Sequence, residues 1–264
     1  MPAEEGNSLT LPSPQGKNRR GFFFVRRIAY YVVHRHLMDY AVRIMHYGSA
    51  MRIVIFTNGI MDDPRAEAAR WIQPGDLVIA ADGGTRQALA AGVTPAHVIG
   101  DLDSLAPELR ACLEAAGTIF HPHPPAKDET DLELALLWAA EQPARTIVIL
   151  GAWGGRPDQA LANLLLLALP ALVGHEVLLA GAGWVIRCLH GGETLTLQGR
   201  PGDVVSLLPL GGDAVGVTTT GLAFPLRGET LRFGPARGVS NVMEGEAATV
   251  TLERGLLWCF CRKS

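Results

Sequence analysis

Several short stretches of this chain carry side chains whose types and spacing could do chemistry. Asp101 and Asp103 stand two apart in GDLDS, directly after the apolar run HVIG. On an extended segment, residues i and i+2 share a face, so both carboxylates would point the same way. Two parallel carboxylates repel unless a cation lies between them, and hard oxygen donors favour Mg²⁺. The same pair also suits a turn in which Asp side chains cap backbone amides, and a lone DxD does not choose between the two. The run Lys127-Asp128-Glu129-Thr130-Asp131-Leu132-Glu133 reads as the start of an amphipathic helix, with Thr130 as N-cap and Glu133 at capping-box spacing. Asp131 then falls in the first turn, where the helix dipole favours an anion in any case. Lys127 is either a point charge for a phosphate or a solvated lysine. Gly154-Gly155-Arg156, ahead of a helix starting near Pro157 or Asp158, offers close backbone approach, a cationic arm and a helix N-terminus. Those suit a phosphate chain, although a Gly-Gly turn into a helix is also common without one.

Other signals are absent or bland. There is no GxxxxGK[ST] and no GxGxxG, which excludes a P-loop kinase and the dinucleotide fingerprint. His121 and His123 flank Pro122 without a third imidazole nearby and read as loop residues. Cys112, Cys188, Cys259 and Cys261 form no CxxC and no zinc spacing, so they read as ordinary thiols of a reduced compartment, the cytoplasm. Net charge is −3, but seven of the 23 Lys+Arg and three of the 26 Asp+Glu lie in the first fifty residues. The remainder holds 16 basic against 23 acidic side chains, near −7, which argues against a nucleic-acid partner.

The elements that must position these residues follow from periodicity. From Met51 onward, short β-branched runs at 52–56, 77–81, 97–101, 146–150 and 176–180 alternate with helical stretches at 64–71, 84–91, 105–116, 131–141 and 158–169. That rhythm predicts a mostly parallel sheet flanked by helices. Ligands of such sheets bind beyond the carboxyl ends of the strands. There LVIAA runs into Asp82-Gly83-Gly84, HVIG into Asp101, and TIVILG towards Gly154. After about residue 182 only short alternating segments remain, separated by Gly and Pro, as in an antiparallel β-sandwich. The expected organisation is an α/β domain over 51–180 and an all-β domain over 181–264.

Residues 1–50 stand apart. They mix apolar residues with Arg26, Arg27, His34, Arg35 and His36, too often charged for a bilayer span, and no membrane is expected as a partner of the folded part. Three readings stay open: an upstream extension with Met51 as the true start, a basic amphipathic surface or membrane-associating helix, or a helix packed on the domain.

Taken in order, ADGG (81–84), GDLDS (100–104), KDETDLELAL (127–136), GAWGGRPDQALANLLLL (151–167), VSLLPL (205–210), GVTTTGLAFPL (216–226) and RGVSN (237–241) resemble the thiamine pyrophosphokinase family over 51–264. The resemblance implies an ATP-binding α/β domain, a C-terminal β-sandwich, and a homodimer with thiamine in a cleft between subunits. It implies Mg²⁺ held by Asp101, Asp103 and Asp131, with Lys127 in the catalytic group. Asp82, Gly83, Gly84, Ser104, Thr130, Gly154, Gly155 and Arg156 would hold ATP. Asp158 and Gln159 would line the thiamine pocket, with Ser240 and Asn241 reaching it from the partner. Trp153, Pro157 and Gln159 depart from the family's usual residues. A pyrophosphokinase for another hydroxymethyl heterocycle, such as a pterin, would lack the last two segments. A non-catalytic binder of nucleotide or thiamine would lose acids that are all present here.

Overall fold

The computed structural model describes residues 51–262; the readings made for residues 1–50 lie outside them. The chain begins as a regular alternation: β1 (Met51–Phe56), α1 (Pro64–Trp71), β2 (Leu77–Ala81), α2 (Gly84–Ala90), β3 (His97–Gly100), α3 (Pro107–Ala115), β4 (Ile119–Pro122), α4 (Asp131–Ala140), β5 (Ala144–Leu150), α5 (Pro157–Leu165) and β6 (Glu176–Gly181). The strands are parallel and lie in the order β4-β3-β2-β1-β5-β6. Both faces are covered, which is why these runs are apolar without alternation. In β1, Ile53 and Ile55 pack with Leu132, Ala135, Leu136 and Ala139 of α4. Val54 and Phe56 pack on the opposite face with Ala68 of α1 and Ala88 of α2.

Local chemistry sets the helix starts. The Asp63 carboxylate accepts the Ala66 amide at 3.0 Å, with Pro64 opening α1. Thr130 Oγ1 accepts the Glu133 amide at 3.2 Å and caps α4, as the capping-box spacing predicts.

The remaining strands are β7 (Trp184–His190), β8 (Thr194–Gln198), β9 (Val204–Thr220), β10 (Arg227–Leu231), β11 (Asn241–Val242), β12 (Ala247–Thr251) and β13 (Arg254–Arg262). β7 turns back antiparallel on β6, so hydrogen bonding runs unbroken from the parallel sheet through β7, β13 and β9 to β12 and β8. The stretch β7-β13-β9 is sandwiched. Ile186, Trp258, Phe260, Leu208 and Leu210 pack into the core beneath the helices. Val205, Leu207, Leu257, Cys259 and Cys261 pack with Leu197, Val217, Ala248 and Val250 in a second core. The architecture is thus a mixed sheet with helices in the N-terminal part and a strand-rich C-terminal part. Burial pushes the Cys259 thiol up to about 12, consistent with an inert core position.

One local reading is corrected. His121 is not a loop residue but part of β4, where its Nε2 lies 3.0 Å from His97 Nδ1, and both rings lie against Trp138 of α4. Four residues ending in proline, half-exposed at a sheet edge, carry too little apolar pattern to announce a strand.

Candidate active site

The strand order reverses at β1, which has β2 on one side and β5 on the other. Chain segments leaving the carboxyl ends of β1 and β5 therefore part company, and a crevice must open between them. A cleft of about 630 Å³ occupies this position, a size within the usual range for small-molecule sites. Its walls include Thr57, Asn58 and Gly59 after β1, Asp82 and Gly83 after β2, Lys127–Leu132 except Asp128, and Gly154, Gly155, Arg156, Gln159 and Asn163.

Three carboxylates meet at the rim. Asp82, Asp101 and Asp131 each place an oxygen within 4.8 Å of the other two. Repulsion at that separation is on the order of 3 kcal/mol per pair for an effective dielectric near 20, so the arrangement has to be imposed. Two features of the backbone help to impose it. Gly100, at φ +148°, ends β3 beneath the acids; a Cβ there would lie 2.8 Å from Asp82 Cβ and 2.9 Å from Asp131 Oδ1. Close approach of the three side chains requires the missing side chain. Asp82 itself is held at φ +35°, an unusual value for a non-glycine residue, by its own amide bonded to Ile99 O at 2.8 Å.

The electrostatics follow from this packing. Burial, then the charges of Asp131 and Asp101, hold the Asp82 carboxyl above its ordinary range, partly offset by the nearby Ser104 hydroxyl and the Gly83 amide. Neither Asp82 Oδ1 nor Ser104 Oγ completes a well-formed hydrogen bond, although both are buried. A buried carboxylate oxygen beside two more carboxylates offers the hard oxygen donors that a divalent cation favours. Lys127 Nζ lies 2.8 Å from Asp131 Oδ1 and 3.9 Å from Asp101 Oδ2. Burial opposes its charge, but the bond to Asp131 and the neighbouring acids outweigh that and raise it above the ordinary lysine value.

The structure departs from the sequence reading at Asp103. Leu102 adopts φ +62°, a left-handed conformation that breaks the strand's alternation. Asp103 is therefore exposed, its amide donating to Asp101 Oδ1 at 3.2 Å, and it lies outside the three-acid group. Asp82 takes its place in the cluster. The other candidates divide in two. Gly83, Lys127, Thr130, Gly154, Gly155, Arg156 and Gln159 line the cleft, while Gly84, Asp101, Ser104 and Asp158 are not among its walls. Gly84 permits a different approach: a Cβ there would sit 2.1 Å from Phe56 O, so the turn packs directly on β1. Arg156 and Asp158 form an exposed bidentate pair at 3.1 and 2.5 Å, which lowers the Asp158 carboxyl.

Ser240 and Asn241 are not among the cleft's walls. The Asn241 amide instead bridges Phe224, accepting its N–H at 3.0 Å and donating to its carbonyl at 2.7 Å. Residues that composition did not single out include Thr57, whose hydroxyl bonds Leu150 O at 3.1 Å across the crevice, and Asn58, lying against Gly83. Gln87 and Asn163 fix the two crevice loops through Gly59 O and Ala152 O, both at 2.9 Å.

Fold and site together define a class: an open α/β sheet whose acidic rim and glycine loop suit a cation-bound polyphosphate, continued by a β-sandwich. Residues 68–177 match the family model described as the thiamin pyrophosphokinase catalytic domain, and residues 193–257 match the family's vitamin B1 binding domain. The thiamine pyrophosphokinase of Bacillus subtilis is 32% identical over 181 residues, 69% of this chain and 85% of that protein. The crystal structure of the Bacillus subtilis thiamine pyrophosphokinase superposes with a TM-score of 0.71 at 28% identity, covering 81% of this chain and 99% of that one. That of Geobacillus thermodenitrificans gives 0.70 at 28%, covering 81% and 98%. This chain belongs to the thiamine pyrophosphokinase family and is an enzyme of that type. Among the described residues no helix is long and apolar enough to cross a membrane.

Proposed function

We propose that the protein transfers a diphosphate group from ATP to the hydroxyl of thiamine, giving thiamine diphosphate and AMP. The observation that carries this reading is the convergence of Asp82, Asp101 and Asp131, two of which, Asp82 and Asp131, line the same cleft as the glycine loop. Those three acids would hold Mg²⁺, which when bound supplies charge neutralisation on the polyphosphate. Asp103 is given no ligand's place. Lys127 and Arg156 supply positive charge, and the amides of Gly154 and Gly155, with the start of α5, suit the phosphate oxygens. Asp82, Gly83, Gly84, Ser104 and Thr130 frame the nucleotide.

In the transfer, the thiamine oxygen bonds to the β-phosphorus, the bond from that phosphorus to the α–β bridging oxygen breaks, and AMP leaves with that oxygen. The hydroxyl proton passes to solvent. Such a reaction depends on alignment and charge more than on a strong base. Asp158 and Gln159 stand where the acceptor would enter, and Ser240 and Asn241 of a second copy would complete its pocket in a homodimer. On this reading residues 51–180 bind ATP and 181–264 bind thiamine, in the cytoplasm.

Incubation with ATP, Mg²⁺ and thiamine, with products separated by chromatography, tests it. Thiamine diphosphate and AMP in equal amounts are expected. Thiamine monophosphate with ADP, or no thiamine product, would overturn the reading.

A further inference from the structure

Three like charges held at one point need a counter-charge, and the chain carries one of its own. Lys127 Nζ is 2.8 Å from Asp131 Oδ1 and 3.9 Å from Asp101 Oδ2, and its side chain is only 12% exposed. The choice of residue is itself informative. Of the 23 basic side chains only three are lysines, Lys17, Lys127 and Lys263; all others are arginine. An ammonium is a compact point charge, closer in shape to a metal ion than the planar, forked guanidinium is.

We propose that Lys127 is an internal stand-in for the divalent cation, competing with it for the same oxygens of Asp101 and Asp131. Its ammonium keeps those carboxylates convergent. It must leave when the cation takes them, and leaving releases it towards the phosphates. The cation therefore binds the protein alone more weakly than three carboxylates would allow, and a polyphosphate favours its entry by giving the displaced ammonium a new partner. The inference rests on reading the three acids as a cation site, not on which alcohol is the acceptor.

Two measurements without nucleotide test it. Mn²⁺ titration followed by electron paramagnetic resonance compares the wild type with Lys127→Met, which keeps length and loses charge. The variant is expected to bind Mn²⁺ at least tenfold more tightly. Arg156→Met removes a cation of the same cleft that is paired to Asp158 instead, and is expected to stay within threefold. In the wild type, acylation of lysine amines by a succinimidyl ester is followed by mass spectrometry, with Lys263 as internal reference. Mn²⁺ is expected to speed modification of Lys127 at least fivefold relative to Lys263. Equal Mn²⁺ affinity in Lys127→Met, or Lys127 acylation unmoved by Mn²⁺, would overturn the proposal. If Lys127→Met does not fold, as judged by circular dichroism, the wild-type acylation decides alone. A wild type that passes both measurements yet makes no thiamine diphosphate would lose its assigned substrate and keep the stand-in.

Discussion

Gly100→Ala should damage the site far more than it damages the fold. A methyl there would lie 2.8 Å from Asp82 Cβ, 2.9 Å from Asp131 Oδ1 and 3.0 Å from Asp131 Cγ. Comfortable carbon contacts begin near 3.5 Å, so two of the three acids must retreat by about 0.5–1 Å. The backbone cost of an alanine at φ +148° is about 1–3 kcal/mol. Movement of the acids lets repulsion relax, so the overpacking adds no more than a similar amount. Catalysis is less forgiving, since a misplacement of about 1 Å costs on the order of 100-fold. Gly117→Ala separates strain from contact: Gly117 also has a positive φ, +95°, but a Cβ there meets nothing within 4 Å. Denaturant unfolding is expected to show both variants destabilised by amounts within about 3 kcal/mol of each other. Only Gly100→Ala is expected to lose at least about 100-fold in thiamine diphosphate formation and most Mn²⁺ binding. If Gly100→Ala keeps turnover and Mn²⁺ affinity within about twofold of wild type, convergence of the acids is not what makes the site.

Further outcomes follow from the same geometry. Asp101→Asn should cost at least about 100-fold in kcat while exposed Asp103→Asn stays within about fivefold; equal losses would put Asp103 back among the cation's ligands. Asp82 is raised by burial and by Asp131 and Asp101, so the folded protein keeps a proton that the unfolded chain has released. In the window above the ordinary value of 3.8, stability of the metal-free protein should therefore fall as pH rises. Asp82→Asn should flatten that slope in denaturant unfolding at a series of pH values, and an unchanged slope would assign it to another group. Asn241→Ala removes the amide that brackets Phe224, so it should lower stability by about 1–2 kcal/mol in denaturant unfolding. An unaltered stability with a raised KM for thiamine would show that the amide serves the substrate alone.

The legible parts of the fold were those whose cause is local. β1, β2, β5 and β6 are apolar runs buried on both faces, and α4 announces itself by Thr130 and Glu133. What escaped depends on partners. In sequence, 203–210 and 214–219 read as two segments because Pro209, Gly211 and Gly212 interrupt the pattern, yet β9 is one strand of 17 residues. Its first part pairs with β13 and its last part with β12 and β10, so different neighbours carry it past the interruption. β7 shows no clean alternation because the core beneath the helices takes Ile186 while the second core takes Leu189.

The placement of the acids divides the same way. Asp101 and Asp131 were legible because each follows a local rule, the end of a strand and the first turn of a capped helix. Asp103 was misplaced because residue spacing says nothing about the sign of φ at Leu102, and one left-handed residue undoes the two-residue periodicity. Asp82 could not be placed in the cluster from its own neighbourhood, since its nearness to Asp101 and Asp131 is set by β2 lying beside β3 and by α4 crossing above them. Thr57 and Asn58 gave no signal because neither is a catalytic type; only the knowledge that β1 lies between β2 and β5 makes their position matter. Gly100 inverts the usual search. It has no side chain to contribute, and it decides whether the three that do contribute can meet.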